Sequence, residues 1–162
     1  MYQPGQIVFY GSVGLCRVAG LTEQEVGGVR AAYYQLEPRR GGTVLVPTGS
    51  ETLTKRIRPA LSAAEADALL RALPEDPMDW EEDEQLRRAN HRAILAAGDA
   101  RALARLACAL YRRQQSLKAA GRRLRQSDEA VWRDAERLVS DEFAYALGEE
   151  LAEVVRRLRA CG

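Results

Sequence analysis

Eight basic side chains, Arg101, Arg105, Arg112, Arg113, Lys118, Arg122, Arg123 and Arg125, fall within residues 101–126 without one acid among them. Such a block suits phosphate. Guanidinium and ammonium groups neutralise a nucleic-acid backbone and release its counterions, which gives salt-sensitive binding with little sequence preference. The competing reading is a solvated face that balances its neighbours, because residues 60–100 hold ten acids against four bases and residues 127–162 hold nine against five. Trp80 lies upstream of the block, after Pro74 and Pro77 and before the acidic run Glu81, Glu82, Asp83, Glu84. An aromatic wedge beside a basic surface is one way to open or kink a duplex from its minor groove. The plainer role for an indole is packing on an adjacent helix.

Catalysis has no comparable set of residues. The chain lacks a GxxxxGK[ST] phosphate loop, a GxSxG elbow, an HExxH pair and the dinucleotide-binding glycine pattern. His91 is the single histidine. Consecutive acids at a helix start point in different directions, so residues 81–84 do not converge on one ion. Cys16, Cys108 and Cys161 are odd in number and contain no CxxC pair. That argues against a disulfide framework or a zinc site and for a reducing compartment, with Cys108 as inert packing. The expectation is a non-enzymatic cytoplasmic protein with no metal, no cofactor, no small-molecule substrate and no membrane span.

The elements that must position these residues divide the chain in two. Residues 1–59 read as β: short apolar runs at Ile7–Tyr10, Leu15–Leu21, Ala31–Leu36 and Thr43–Pro47, and a fifth at Leu53–Ile57, separated by glycine turns. The Gly27-Gly28 pair is a hairpin signal. Short strands without a helix predict a small, strongly bent barrel whose edge strands are free to pair with another chain. Residues 60–162 read as an all-α bundle. Ser62 and Glu65 form a capping box; Asp79 is expected to cap the next helix, with Glu82 as its partner and Trp80 in the first turn. Its apolar stripe would be Leu86, Ala89, Ala93, Ile94 and Ala97. Gly98 then ends that helix and Asp99 starts another, with Leu103, Leu106, Ala107, Leu110 and Leu117 inward and Arg101, Arg105 and Arg112 outward. Ser127 is expected to cap a helix to Leu147, on which Glu142 falls inside the buried stripe and needs a partner, expected from the 101–126 arginines. The fold class is therefore α+β, a Tudor/SH3-like barrel followed by helices.

The order of these parts resembles the CarD/CdnL family of bacterial RNA polymerase-binding transcription regulators. The resemblance rests on Gly5, Val8, Tyr10, Gly14 and Val18, then Gly28, Tyr33, Tyr34, Leu36, Val46 and Pro47. It continues through Asp79-Trp80, Arg87/Arg88, Gly98-Asp99, Leu110-Tyr111 and Asp141-Glu142. It implies a barrel over 1–59 that docks on the polymerase β subunit, a barrel shared with the transcription-repair coupling translocase. It also implies a helical domain over 60–162 that contacts promoter DNA at the upstream edge of the bubble, with Trp80 as minor-groove wedge stabilising the open complex. On this reading Arg87, Arg88 and Arg92 supply phosphate contacts beside the wedge, joined by Arg101, Arg105 and Arg112. Docking would use strand pairing along Thr43, Val44, Leu45, Val46 and Pro47. The alternative is a protein-only adaptor that binds polymerase, or another edge strand, without a DNA role.

Overall fold

Alternation along the first strand sets the architecture. In β1 (Ile7–Tyr10), Val8 and Phe9 are both fully buried yet point to opposite faces of the sheet. Val8 joins a core internal to the sheet with Cys16, Val18, Leu36, Val46 and Ile57. Phe9 joins Leu15 in a second core made mostly by helices. The computed structural model describes residues 1–161.

β2 (Gly14–Val26) and β3 (Val29–Pro38) form a long antiparallel hairpin. Gly27 and Gly28 turn it, both at positive φ (60° and 80°), where a side chain would be strained. A register shift between Val18 and Gly20 bends β2. With β4 (Val44–Pro47) and β5 (Ile57–Pro59) the strand order is β4-β3-β2-β1-β5, all antiparallel. The bent sheet is open: β4 and β5 are its two ends. The stretch expected as a fifth strand from Leu53 instead begins as the short helix α1 (Glu51–Thr54), capped by Ser50, whose Leu53 packs against the internal core. Ser50 at the N-cap gives the local backbone a helical solution that the apolar pattern alone did not reveal.

Five helices follow: α2 (Ala63–Ala72), α3 (Glu84–Ala97), α4 (Ala100–Ala119), α5 (Gln126–Leu147) and α6 (Leu151–Arg159). The Ser62/Glu65 capping box forms in both directions, and Asp99 caps α4 through the Ala102 N–H. Gly98 and Gly148 end α3 and α5 in the left-handed conformation. Two expected caps differ. α3 starts at Asp83, whose side chain accepts from the Leu86 N–H, rather than at Asp79; α5 starts at Gln126 with no side-chain cap, so Ser127 lies inside it. The buried residues of α3 are Arg87 and His91, while Leu86 is 49% exposed. Apolar periodicity misplaced this face because the helix buries a charge network.

Sheet and helices meet at Gly11 and Gly98. A Cβ on Gly11 would stand 2.6 Å from the Ala96 carbonyl oxygen, and one on Gly98 would stand 3.0 Å from the Gly11 Cα. Backbone touches backbone here. Beside this contact Arg58 of β5 grips Glu142 of α5 with two bonds of 2.7 Å, donates from Nε to the Gly98 carbonyl at 2.8 Å, and lies over the Phe9 ring. The Leu61 N–H gives Glu142 a third donor at 3.0 Å. The partner of Glu142 is thus Arg58, not an arginine of 101–126: Arg101 and Arg105 turn to Asp76 and Pro77, and Arg112 to Cys161.

Candidate polymerase-docking edge and Trp80 surface

Trp80 stands in the loop between a 3-10 turn (Leu73–Glu75) and α3, outside any helix. That loop is pinned from three sides. Arg101 and Arg105 of α4 reach back to it: Arg101 pairs bidentately with Asp76 (2.8 and 2.9 Å), and Arg105 donates to the carbonyls of Asp76 (3.1 Å) and Pro77 (2.8 Å). Hydrogen bonding to Arg101 holds the Asp76 carboxyl below the usual carboxylate range. From α3, Arg87 donates through Nη1 to the Glu81 carbonyl at 3.0 Å and pairs with Asp128 of α5 at 3.1 and 3.0 Å. Met78 and Trp80 pack against the Leu106–Leu110–Leu124–Trp132 cluster.

The half-buried Trp80 ring has the Arg87 guanidinium 4.8 Å and the Arg113 guanidinium 4.9 Å from its centroid, with His91 edge-to-face at 6.4 Å. Cations over an indole face are attracted by its quadrupole. His91 is buried, with Nδ1 unpartnered and 4.0 Å from Asp128 Oδ1. Burial, aided by the Arg87 charge and opposed by Asp128, lowers its pKa. A small cavity of about 30 Å³ adjoins Trp80, Arg87 and His91.

The expected phosphate-binding arginines separate into different roles. Arg87 is 5% exposed and fully engaged with Asp128 and the loop. Arg101 and Arg105 hold the loop, and Arg112 donates to the Cys161 carbonyl. Arg88 is exposed but bonds Ser127 Oγ and pairs with Glu84. Arg92 is exposed and carries no ion pair within the described residues. The cations gathered beside Trp80 come instead from the end of α4 and the following loop. Arg113, Arg122, Arg123 and Arg125 line one cleft of about 210 Å³ with the indole, along with Glu82 and Glu84. Arg125 pairs with Glu84 at 3.1 Å. The run 81–84 is mainly local structure: Glu81 accepts from the Asp83 N–H, Asp83 caps α3, and Glu84 neutralises two arginines.

β4 forms one edge of the sheet, and no described strand pairs with its outer side. Val46 is fully buried; Leu45, on the opposite face, is 40% exposed and Thr43 precedes the strand on the surface. Backbone groups along 43–47 are thus offered beside one exposed apolar side chain.

Residues 2–60 match the CarD-like/TRCF RID domain. The match ends with β5, so it spans the whole sheet and its free edge and stops before α2. The chain therefore carries a CarD-like RNA polymerase-interacting domain, which points to an RNA polymerase-binding transcription factor. CarD-like proteins are typically non-catalytic regulators, although the TRCF domain is part of an enzyme. No curated protein matches the chain. Among the described residues no helix is long and apolar enough to cross a membrane.

Proposed function

We propose that this protein docks on the β subunit of bacterial RNA polymerase by pairing along Thr43–Pro47, and stabilises the open promoter complex with Trp80 at the upstream edge of the bubble. The supporting observation is the setting of the indole: half-buried, on a loop pinned by Arg87, Arg101 and Arg105, beside a cleft lined by Arg113, Arg122, Arg123 and Arg125. A wedge must not recoil when it meets a base step, and unstacking that step costs a few kcal/mol, so a clamped loop suits the task. Phosphates flanking the step would meet the 113–125 cations, with Arg88 and Arg92 further along α3. Docking through backbone edges would leave specificity to Leu45 and the neighbouring side chains.

The second reading is a protein-only adaptor on polymerase. It is favoured by the internal engagement of Arg87, Arg101, Arg105 and Arg112, which removes four of the six expected phosphate contacts from a free surface. Open-complex lifetime on a promoter fragment separates the two. Wild type should lengthen it, and Trp80→Ala should lose most of that gain while still binding the β subunit. Equal lengthening by both proteins would remove the wedge, and no lengthening with retained binding would leave the adaptor.

A further inference from the structure

Two of the three cysteines meet in the main core. Cys108 lies on the buried side of α4, and the turn after α6 brings Cys161 against it. One carbonyl fixes the approach. Leu158 O accepts from the Cys161 N–H at 3.2 Å and from the Cys108 thiol at 3.6 Å, so both cysteines converge on the same oxygen. Cys161 lies beside that thiol in the same core cluster. Arg112, one turn beyond Cys108, donates to the Cys161 carbonyl. The two sulfurs differ in character. The adjacent Cys108 thiol, followed by the Arg112 charge, brings Cys161 down to about 7 against the opposing effect of burial. The adjacent Cys161, together with burial, holds the Cys108 thiol high. Cys16 lies in the separate sheet core, where burial raises it to about 11.

We infer that Cys108 and Cys161 form a reversible dithiol–disulfide pair that staples the end of α6 to α4, oxidised by low-molecular-weight disulfides of the glutathione class. The Cys161 thiolate attacks one sulfur of the disulfide, forms a mixed disulfide and expels one thiolate. Cys108 gives its proton to that thiolate and attacks the Cys161 sulfur, closing the protein disulfide and expelling the second. Two electrons pass from protein to reagent, and two small thiols are released. Entry of the reagent requires the turn at Leu158–Cys161 to open locally, which costs less than global unfolding. A reversible bond of this kind also suits a reducing compartment, where lasting structural disulfides are rare.

Incubating the full chain with glutathione disulfide tests this. Wild type should lose two of its three thiols and about 2 Da of mass, because two hydrogens leave as the bond closes. It should yield a Cys108–Cys161 cross-linked peptide and revert with dithiothreitol. Cys108→Ala should stop at a glutathionyl group on Cys161, Cys161→Ser should not react, and Cys16→Ser should behave as wild type. Wild type that keeps all three thiols, halts at the mixed disulfide or links two chains through Cys161 would overturn the proposal. The wild-type peptide map decides the matter even where a variant fails to fold.

Discussion

Two buried carboxylates, each gripped by one arginine, do different work in this molecule. At the junction of sheet and helices, Arg58 grips Glu142 over the ring of Phe9; under the Trp80 loop, Arg87 grips Asp128 against the ring of Trp80. Both guanidiniums also hold backbone carbonyls, Gly98 in the first case and Glu81 in the second. The difference lies in the aromatic partner. Phe9 is fully buried and belongs to the core, so the first pair makes a joint. Trp80 is half-buried and borders an arginine-lined cleft, so the second pair makes a mount. The same chemistry fixes two halves of a fold in one place and presents a side chain in the other.

The sharpest test of that contrast removes each carboxylate. Glu142→Ala strands Arg58 and frees the Leu61 N–H, and should cost about 4 kcal/mol of unfolding free energy in denaturant titration. Hydrogen exchange should then rise on both sides of the joint, in β1, β5 and α5 together. Asp128→Ala should cost less, about 3 kcal/mol, because Asp128 accepts from Arg87 alone and its loss strands no backbone N–H as the loss of Glu142 strands that of Leu61. Its faster exchange should stay within residues 76–91, leaving the sheet unchanged. Matching exchange patterns in the two variants would erase the distinction between joint and mount.

The smallest effect comes from acid. Burial lowers the His91 pKa below its ordinary value, so the folded state resists protonation that the unfolded chain accepts. The associated stability is complete above about pH 6.5, and is lost as pH falls from there through the folded value. Asp128 draws the proton in against burial and the Arg87 charge, and this partial cancellation makes the effect the smallest of the three. Comparing unfolding midpoints at neutral and mildly acid pH for wild type and His91→Phe reads it, and the variant should show the shallower slope. An equal slope in both would assign the acid sensitivity to other groups.

Local chemistry was legible where one residue decides the backbone. Ser62 with Glu65, Asp99, Gly98, Gly148 and the Gly27-Gly28 turn stand where their types required. The inward faces of α4 and α5 followed their apolar period, with Leu103, Leu106 and Leu110 on one and Trp132, Ala135 and Leu138 on the other. The start of α3 was not legible. Asp79 and Asp83 are equally good caps in sequence, and Arg87 decided between them by holding the carbonyls of the intervening loop. Nor could spacing tell a phosphate-binding arginine from a structural one. Arg101 and Arg105 became loop anchors because the fold carries Asp76 to them across more than twenty residues.

The sequence by itself determined the α+β order, most helix ends and the polymerase-interacting character of residues 2–60, because caps, turns and apolar period act over a few residues. Tertiary structure alone decided the pairing of charges. It chose Arg58 for Glu142 and Arg87 for Asp128, and it set Cys161 beside Cys108 in the core. Partners so far apart in the chain are selected by which surfaces pack, and burial then makes leaving either one unpaired costly.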